Sequence, residues 1–268
     1  MSHDMDISFL DIPEILEVIF PVAYSPFLFR PPSRDSIPGA DTYFVEVGEG
    51  VKISCGLWTY GKEYPTVLFF HGNGEEAGDY EMIAQYYHKT GVNLFVADYR
   101  GYGLSNGKPT ITNMVGDAHK VFREFKRILA DNGYSSSLFL MGRSLGSIPA
   151  MEIAYHYQDE LKGLIIESGS ANNLRRLWGY LDGQEQEKLT TGTFLNKVKI
   201  KTVTIPTLII HGEYDQILPV QEGLELYQES GSEDKDILVI PGADHNDLMV
   251  RGQTQYFDKI SEFVARNL

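Results

Sequence analysis

The segment Gly142-Arg143-Ser144-Leu145-Gly146 lies between a short apolar run, Leu138-Phe139-Leu140-Met141, and a stretch with helical spacing, Ser147 to Tyr155. A strand that turns sharply into a helix at a serine pushes the hydroxyl outward, where a substrate can meet it. The two glycines remove side chains that would collide in so tight a turn. A serine hydroxyl is a weak nucleophile until a base takes its proton and a third group orients that base. His245, in Gly242-Ala243-Asp244-His245-Asn246, is the candidate base, and Asp215, in His211-Gly212-Glu213-Tyr214-Asp215, the candidate acid. The chemistry is acyl transfer. Attack on a carbonyl creates an oxyanion, best met by preorganised backbone N–H groups. Leu145 follows the serine at a helix start and offers one. Asn73, in His71-Gly72-Asn73-Gly74, offers the second, its glycine neighbours permitting close approach.

The other candidates are weaker. His71 and His211 each end an apolar run before a glycine and read as packing or turn residues. His88, His119 and His156 fall on helical stretches without a neighbouring nucleophile, and His3 lies near the terminus. Asp244 adjoins His245, but sequence neighbours rarely aim their side chains at one another, which favours Asp215. Asp98, Asp117 and Asp247 are further alternatives. No H-x-x-x-H, H-E-x-x-H or C-x-x-C spacing occurs, so no metal is expected. Gly101-Tyr102-Gly103 lacks the third glycine of a dinucleotide fingerprint, so no cofactor is expected either.

These residues need a scaffold. Tyr43–Val47 and Val51–Trp58 alternate around Gly48-Glu49-Gly50, which predicts a hairpin. Val67–Phe70, Leu94–Ala97, Leu138–Met141, Leu164–Ile166, Leu208–Ile210 and Ile237–Ile240 are continuous apolar runs, suited to strands buried on both faces. Helical faces recur between them, at Tyr80, Ile83, Ala84 and Tyr87, at Met114 to Leu129, and at Tyr256 to Val264. The fold class is α/β: a mostly parallel, doubly wound sheet with an N-terminal antiparallel hairpin. Ligands of such sheets bind beyond the carboxyl ends of the strands, where Ser144, Asp215, His245 and the Asn73 turn all fall.

Residues 41–268 read as a single domain, with residues 1–40 an N-terminal helix and extended segment packed on it. That helix is expected to have Asp11 as N-cap, Glu14 completing a capping-box-like pair, Pro21 ending it, and Ile15, Val18 and Ile19 on its buried side. The long gap from Glu167 to Thr207 predicts a small cap at about residues 168–204. In it, Asn172 to Tyr180 suits a helix and Gly183 to Lys201 is polar and irregular. Leu174, Leu177, Trp178, Tyr180 and Leu181 are its expected apolar surface over the substrate.

The chain has 268 residues, 43% of them hydrophobic, enough for a sizeable core. A net charge of −14 repels nucleic acid and anionic membrane surfaces, and no nucleic-acid partner is expected. Ile12 to Phe29 is broken by Pro13, Pro21 and Pro26 and carries Glu14 and Glu17, so it is not a membrane span. Cys55, the single cysteine, excludes an intrachain disulfide and reads as core filling. With an acidic rather than basic start, this points to a cytoplasmic protein.

From Tyr43 onward the chain resembles the α/β-hydrolase superfamily, in particular its compact members: serine aminopeptidases, monoacylglycerol lipases and α/β-hydrolase-domain proteins acting on acyl esters and thioesters. The resemblance is carried by His71–Gly74, Asp98-Tyr99-Arg100-Gly101-Tyr102-Gly103-Leu104-Ser105, Gly142–Ser147, His211–Asp215 and Gly242–Asp247, and by the chain order Ser, Asp, His. It implies Ser144, Asp215 and His245 as catalytic residues, Asn73 and Leu145 as oxyanion donors, and Arg100-Gly101 as a structural turn bordering the pocket. The short segment after Glu167 implies an open site. The resulting expectation is a serine hydrolase of carboxylic esters or thioesters with small to medium acyl groups, working through an acyl-enzyme. One alternative is a peptidase, with Glu167, Glu213 or Glu76 lining a pocket for a free amine. The other is a non-catalytic hydrolase-like binding protein.

Overall fold

The computed structural model describes residues 5–25, 35–173 and 175–268. Its centre is one eight-stranded sheet: β1 (Asp41–Gly48), β2 (Val51–Trp58), β3 (Thr66–Phe70), β4 (Asn93–Ala97), β5 (Leu138–Arg143), β6 (Gly163–Glu167), β7 (Thr207–Gly212) and β8 (Lys235–Ile240). The spatial order is β1-β2-β4-β3-β5-β6-β7-β8. Strands β1 and β2 form the antiparallel hairpin and β2 joins β4 antiparallel; every later pairing is parallel. Strands β3 to β7 are buried throughout, as their unbroken apolar runs require, while β8 at the edge is largely half-buried.

Among the described residues ten α-helices accompany the strands: α1 (Pro13–Ile19), α2 (Pro21–Tyr24), α3 (Glu81–Lys89), α4 (Ile111–Asp131), α5 (Ser147–Tyr157), α6 (Gly183–Thr191), α7 (Asn196–Lys199), α8 (Val220–Glu229), α9 (Leu248–Arg251) and α10 (Gln253–Arg266). Two apolar layers sandwich the sheet. Phe122, Phe125, Met151 and Leu226 build one, from α4, α5 and α8, and the N-terminal Leu10, Ile15 and Phe20 join it. Tyr87, Tyr256, Ile260 and Phe263 build the other, from α3 and α10. Cys55 is buried in the first layer, and burial pushes its thiol pKa up, as suits core filling. No helix among the described residues is long and apolar enough to cross a membrane.

Three local expectations are corrected. Asp11 does not cap α1: the N-cap is Ile12, without a side-chain hydrogen bond. The Asp11 carboxylate instead accepts the Ile111 and Thr112 N–H groups at 2.8 and 3.2 Å, at the start of α4. A carboxylate there meets orphan donors and the positive end of the helix dipole, and it ties the N-terminal segment to the core. Leu16, rather than Val18, shares the buried face with Ile15; Val18 is 40% exposed. Finally, Gly183 to Lys201 is not irregular. Asp182 accepts the Gln184 and Glu185 N–H groups, Glu185 returns a bond to the Asp182 N–H, and that capping box starts α6.

Candidate active site

Ser144 sits where β5 ends and the chain turns through one 3-10 turn, Ser144–Gly146, into α5. Its φ is +51°, a left-handed conformation that a residue with a side chain holds only under constraint from its surroundings. The two glycines of the motif are sterically required. A Cβ on Gly142 would lie 2.3 Å from the Gly146 carbonyl oxygen, and one on Gly146 would lie 2.0 Å from that of Phe70.

Around this elbow the loops converge. The Ser144 Oγ lies 2.9 Å from His245 Nε2, a residue 101 positions away. His245 Nδ1 lies 2.7 Å from Asp215 Oδ2. The Asp215 side chain is fully buried, which alone would raise its pKa. Hydrogen bonds from His211, His245 and the Leu218 N–H outweigh this and hold the carboxyl well below the usual carboxylate range. It is an anion that can only accept, so the imidazole nitrogen facing it carries a proton; in the neutral ring Nε2 is then the acceptor toward Ser144.

Several other histidines and aspartates among the described residues have partners elsewhere. His71 is buried with Nδ1 2.8 Å from the Gly72 carbonyl and Nε2 3.2 Å from Asp98. Burial disfavours its charged form, but Asp98 and Glu75 prevail and its pKa is raised. His211 Nε2 lies 2.8 Å from the Leu218 carbonyl, bracing the Asp215 loop. Asp244 accepts the Gln216 and His245 N–H groups, a backbone role rather than a ring contact. Asp117 pairs with Arg100 through two bonds of 2.6 and 2.8 Å, and Asp247 pairs with Arg251. Arg100 is not among the described residues that line the cleft.

Leu145 lies in the first turn of the helical segment, where backbone N–H groups have no intrahelical acceptor. Asn73 lines the same cleft. Its side chain bonds at both ends: Nδ2 donates to the Ile19 carbonyl at 2.9 Å, and Oδ1 accepts the Tyr102 hydroxyl at 2.8 Å. Through the Ile19 carbonyl that side chain fastens α1 beside Ser144.

The cleft has a volume of about 550 Å³. Val18, Ile19, Leu145, Ile148, Ile217, Leu218 and Pro219 give it apolar lining; Asn172, Asn173, Gln216 and Glu222 give it polar lining. Here the expected cap surface is corrected. Leu177 and Leu181 are buried in the first core layer, Trp178 and Tyr180 are exposed, and none of the four lines the cleft; Leu174 lies outside the described residues. The N-terminal helix and the loop after Asp215 supply the apolar lining instead. Of the three glutamates considered for an amine pocket, none lines the cleft: Glu167 binds Arg143 and Tyr256, Glu213 accepts the Gly242 N–H, and Glu76 caps a 3-10 turn. The cleft carboxylate is Glu222, which accepts the Ser170 hydroxyl at 2.8 Å and the Asn172 N–H at 3.0 Å. Nothing in its local sequence marks it, because α8 reaches the cleft only through the tertiary fold. The sequence likewise gives no sign of Arg143, whose partners lie in other segments.

One cluster of metal-ligating types occurs among the described residues, His119, Glu152 and His156, with donor atoms within 4.8 Å of one another. The Lys199 ammonium already pairs with that carboxylate, so the cluster reads as an ion network between α4, α5 and α7.

An eight-stranded, mostly parallel sheet with a serine elbow at its carboxyl edge defines an α/β-hydrolase. The chain belongs to that superfamily: residues 61–197 and 184–249 match the family described as serine aminopeptidase, S33. It is 29% identical to human alpha/beta hydrolase domain-containing protein 17B over 234 residues, 85% of this chain and 76% of that protein. It is also 29% identical to alpha/beta hydrolase domain-containing protein 17C of Xenopus tropicalis over 212 residues, 78% of this chain and 64% of that one. Among solved structures, the Pyrococcus furiosus esterase Pf2001 superposes with a TM-score of 0.68 at 19% identity, over 85% of this chain and 92% of its own. The ferulic acid complex of Est1E from Butyrivibrio proteoclasticus superposes with a TM-score of 0.70 at 17% identity, over 84% and 98%.

Proposed function

We propose that the protein is a serine hydrolase that cleaves carboxylic ester or thioester bonds of small to medium acyl substrates. The observation that carries this reading is the aligned chain Ser144 Oγ–His245 Nε2 at 2.9 Å and His245 Nδ1–Asp215 Oδ2 at 2.7 Å, opening on the cleft. Ser144 Oγ attacks the substrate carbonyl carbon while His245 Nε2 takes its proton. The carbonyl oxygen becomes an oxyanion facing the Asn73 and Leu145 N–H groups, and Asp215 stabilises the imidazolium. Collapse breaks the bond to the leaving group, which departs with the proton from Nε2, and an acyl-Ser144 remains. Water then attacks the acyl carbon, His245 takes its proton, and collapse returns that proton to Ser144 Oγ as the acid is released.

The family match and the esterase neighbours support hydrolysis in general; the apolar lining beside Ser144 supports an acyl group. The test is covalent labelling with a fluorophosphonate, together with a panel of p-nitrophenyl esters and acyl thioesters. Ser144 is the expected site of the adduct, with labelling lost in Ser144→Ala and sharply reduced in His245→Ala. Folded protein with no adduct on the Ser144 peptide and no turnover would favour a binding protein.

A further inference from the structure

We propose that Arg143 is a positioning residue for this site: its guanidinium clamps the histidine loop and the Asn73 loop to the residue preceding the nucleophile. The proposal rests on the serine-hydrolase reading above. Arg143 ends β5 with an extended backbone, and its side chain is only 10% exposed. All three guanidinium nitrogens are committed. Nε donates to Glu167 Oε1 at 3.1 Å, at the end of the neighbouring strand β6. Nη1 pairs with Glu75 Oε1. Nη2 donates to the His245 carbonyl at 2.9 Å and to Asn246 Oδ1 at 3.0 Å.

Each partner is itself anchored. The other oxygen of Glu75 accepts the Gly72 N–H at 3.0 Å and the Tyr80 hydroxyl at 2.7 Å, so the Gly72–Glu75 turn that carries Asn73 closes against the guanidinium. That turn passes close enough that a Cβ on Gly72 would lie 2.4 Å from Nη1. The other oxygen of Glu167 accepts the Tyr256 hydroxyl at 2.6 Å, from α10. One rigid planar group thus fixes, against Ser144's own neighbour, both the backbone that positions the base and the turn that carries one oxyanion donor. Arg143, His245 and Asn246 also border both the catalytic cleft and a second cavity of about 370 Å³, so the clamp forms part of the partition between them. Removing a charge from water is costly, and an apolar residue would fill the space without that cost; what it could not do is hold four acceptors in fixed directions. Lysine keeps the charge but concentrates its donors at one point, so it cannot span them.

The test compares wild type with Arg143→Lys and with Asn246→Ala, which removes a single arm of the clamp and leaves the Glu75 and Glu167 carboxylates paired. Rates are normalised to sites titrated by the fluorophosphonate. Arg143→Lys should lower kcat by roughly a hundredfold, the scale of an ångström-size misplacement of reacting groups. KM for a short p-nitrophenyl ester should stay within about twofold, because the apolar lining is untouched. Asn246→Ala should lower kcat in the same direction by a smaller factor while its Tm stays near that of wild type. The downfield proton resonance of the His245–Asp215 hydrogen bond should broaden in both. Wild-type kcat per titrated site with an unchanged resonance, in folded Arg143→Lys or, should that variant fail to fold, in Asn246→Ala, would overturn the clamp. So would an effect confined to KM. A wild-type enzyme that takes no label overturns the serine reading instead, which keeps the two failures distinct.

Discussion

Asp215 holds His245 with one carboxylate oxygen and its own loop with the other. Oδ2 lies 2.7 Å from the imidazole Nδ1, while Oδ1 accepts the Ile217 and Leu218 N–H groups at 2.9 and 2.7 Å. The two functions are therefore separable by substitution.

In Asp215→Asn, the amide oxygen can keep both loop bonds while the amide nitrogen replaces Oδ2. A donor facing Nδ1 favours the imidazole tautomer whose Nε2 carries the proton and cannot accept one from Ser144. kcat should fall by roughly 10⁴-fold with a Tm close to wild type. Ester turnover measured alongside thermal unfolding checks this; near-wild-type activity would mean that the orienting acid is another group.

The acyl-chain profile should respond to the cleft lining and not to the exposed segment beyond it. Each methylene buried is worth about 0.8 kcal/mol, or roughly fourfold in kcat/KM, until the lining is exhausted. The expected maximum falls between acetyl and octanoyl p-nitrophenyl esters. Val18→Ala and Ile217→Ala should flatten the rise, whereas Trp178→Ala should leave it unchanged, since Trp178 is exposed outside the cleft. A profile altered only by Trp178→Ala would return the acyl site to the segment after Glu167.

Glu152 should make the fold acid-sensitive. Burial alone would raise its pKa, but His119, Lys199 and His156 around it lower it to about 2. A carboxyl whose folded pKa is depressed adds stability above its unfolded value, near 4.3, and loses it as pH falls toward the folded one. The contribution is on the order of 3 kcal/mol. Urea unfolding of wild type and Glu152→Gln should show a constant gap above pH 5 that shrinks between pH 4 and pH 2. A gap of the same size at pH 2.5 as at pH 6 would contradict the linkage.

Much of the architecture was legible in the chain because it is locally enforced. Runs such as Val67–Phe70 and Leu208–Ile210 can be satisfied only by strands covered on both faces, and their spacing left room for the intervening helices. The elbow was legible for a steric reason: Gly142 and Gly146 stand where any side chain would strike a backbone carbonyl. Where local signals competed, reading them along the chain failed. Asp11 has the chemistry of an N-cap, but it caps the start of α4, a hundred residues away, rather than α1. The sequence puts Trp178 over the substrate and Val18 on the buried side of its helix, yet the packing of α1 brings Val18 to the cleft lining and Trp178 stays exposed outside it.

Which runs become strands, the sharp turn at Ser144 and the chemical types available at the carboxyl edge could be read from the chain, because short-range sterics and periodicity act within a few residues; the order β1-β2-β4-β3-β5-β6-β7-β8 could not. Which of those types meet is settled by packing between distant segments. The 2.9 Å approach of His245 to Ser144, the Asp215 carboxylate behind it, the Glu222 carboxylate in the cleft and the four-way grip of Arg143 all join segments brought together by burial of the two core layers. Burying apolar surface is non-directional, so no local pattern encodes its outcome; the hydrogen bonds of the site take their directions only after that packing is complete.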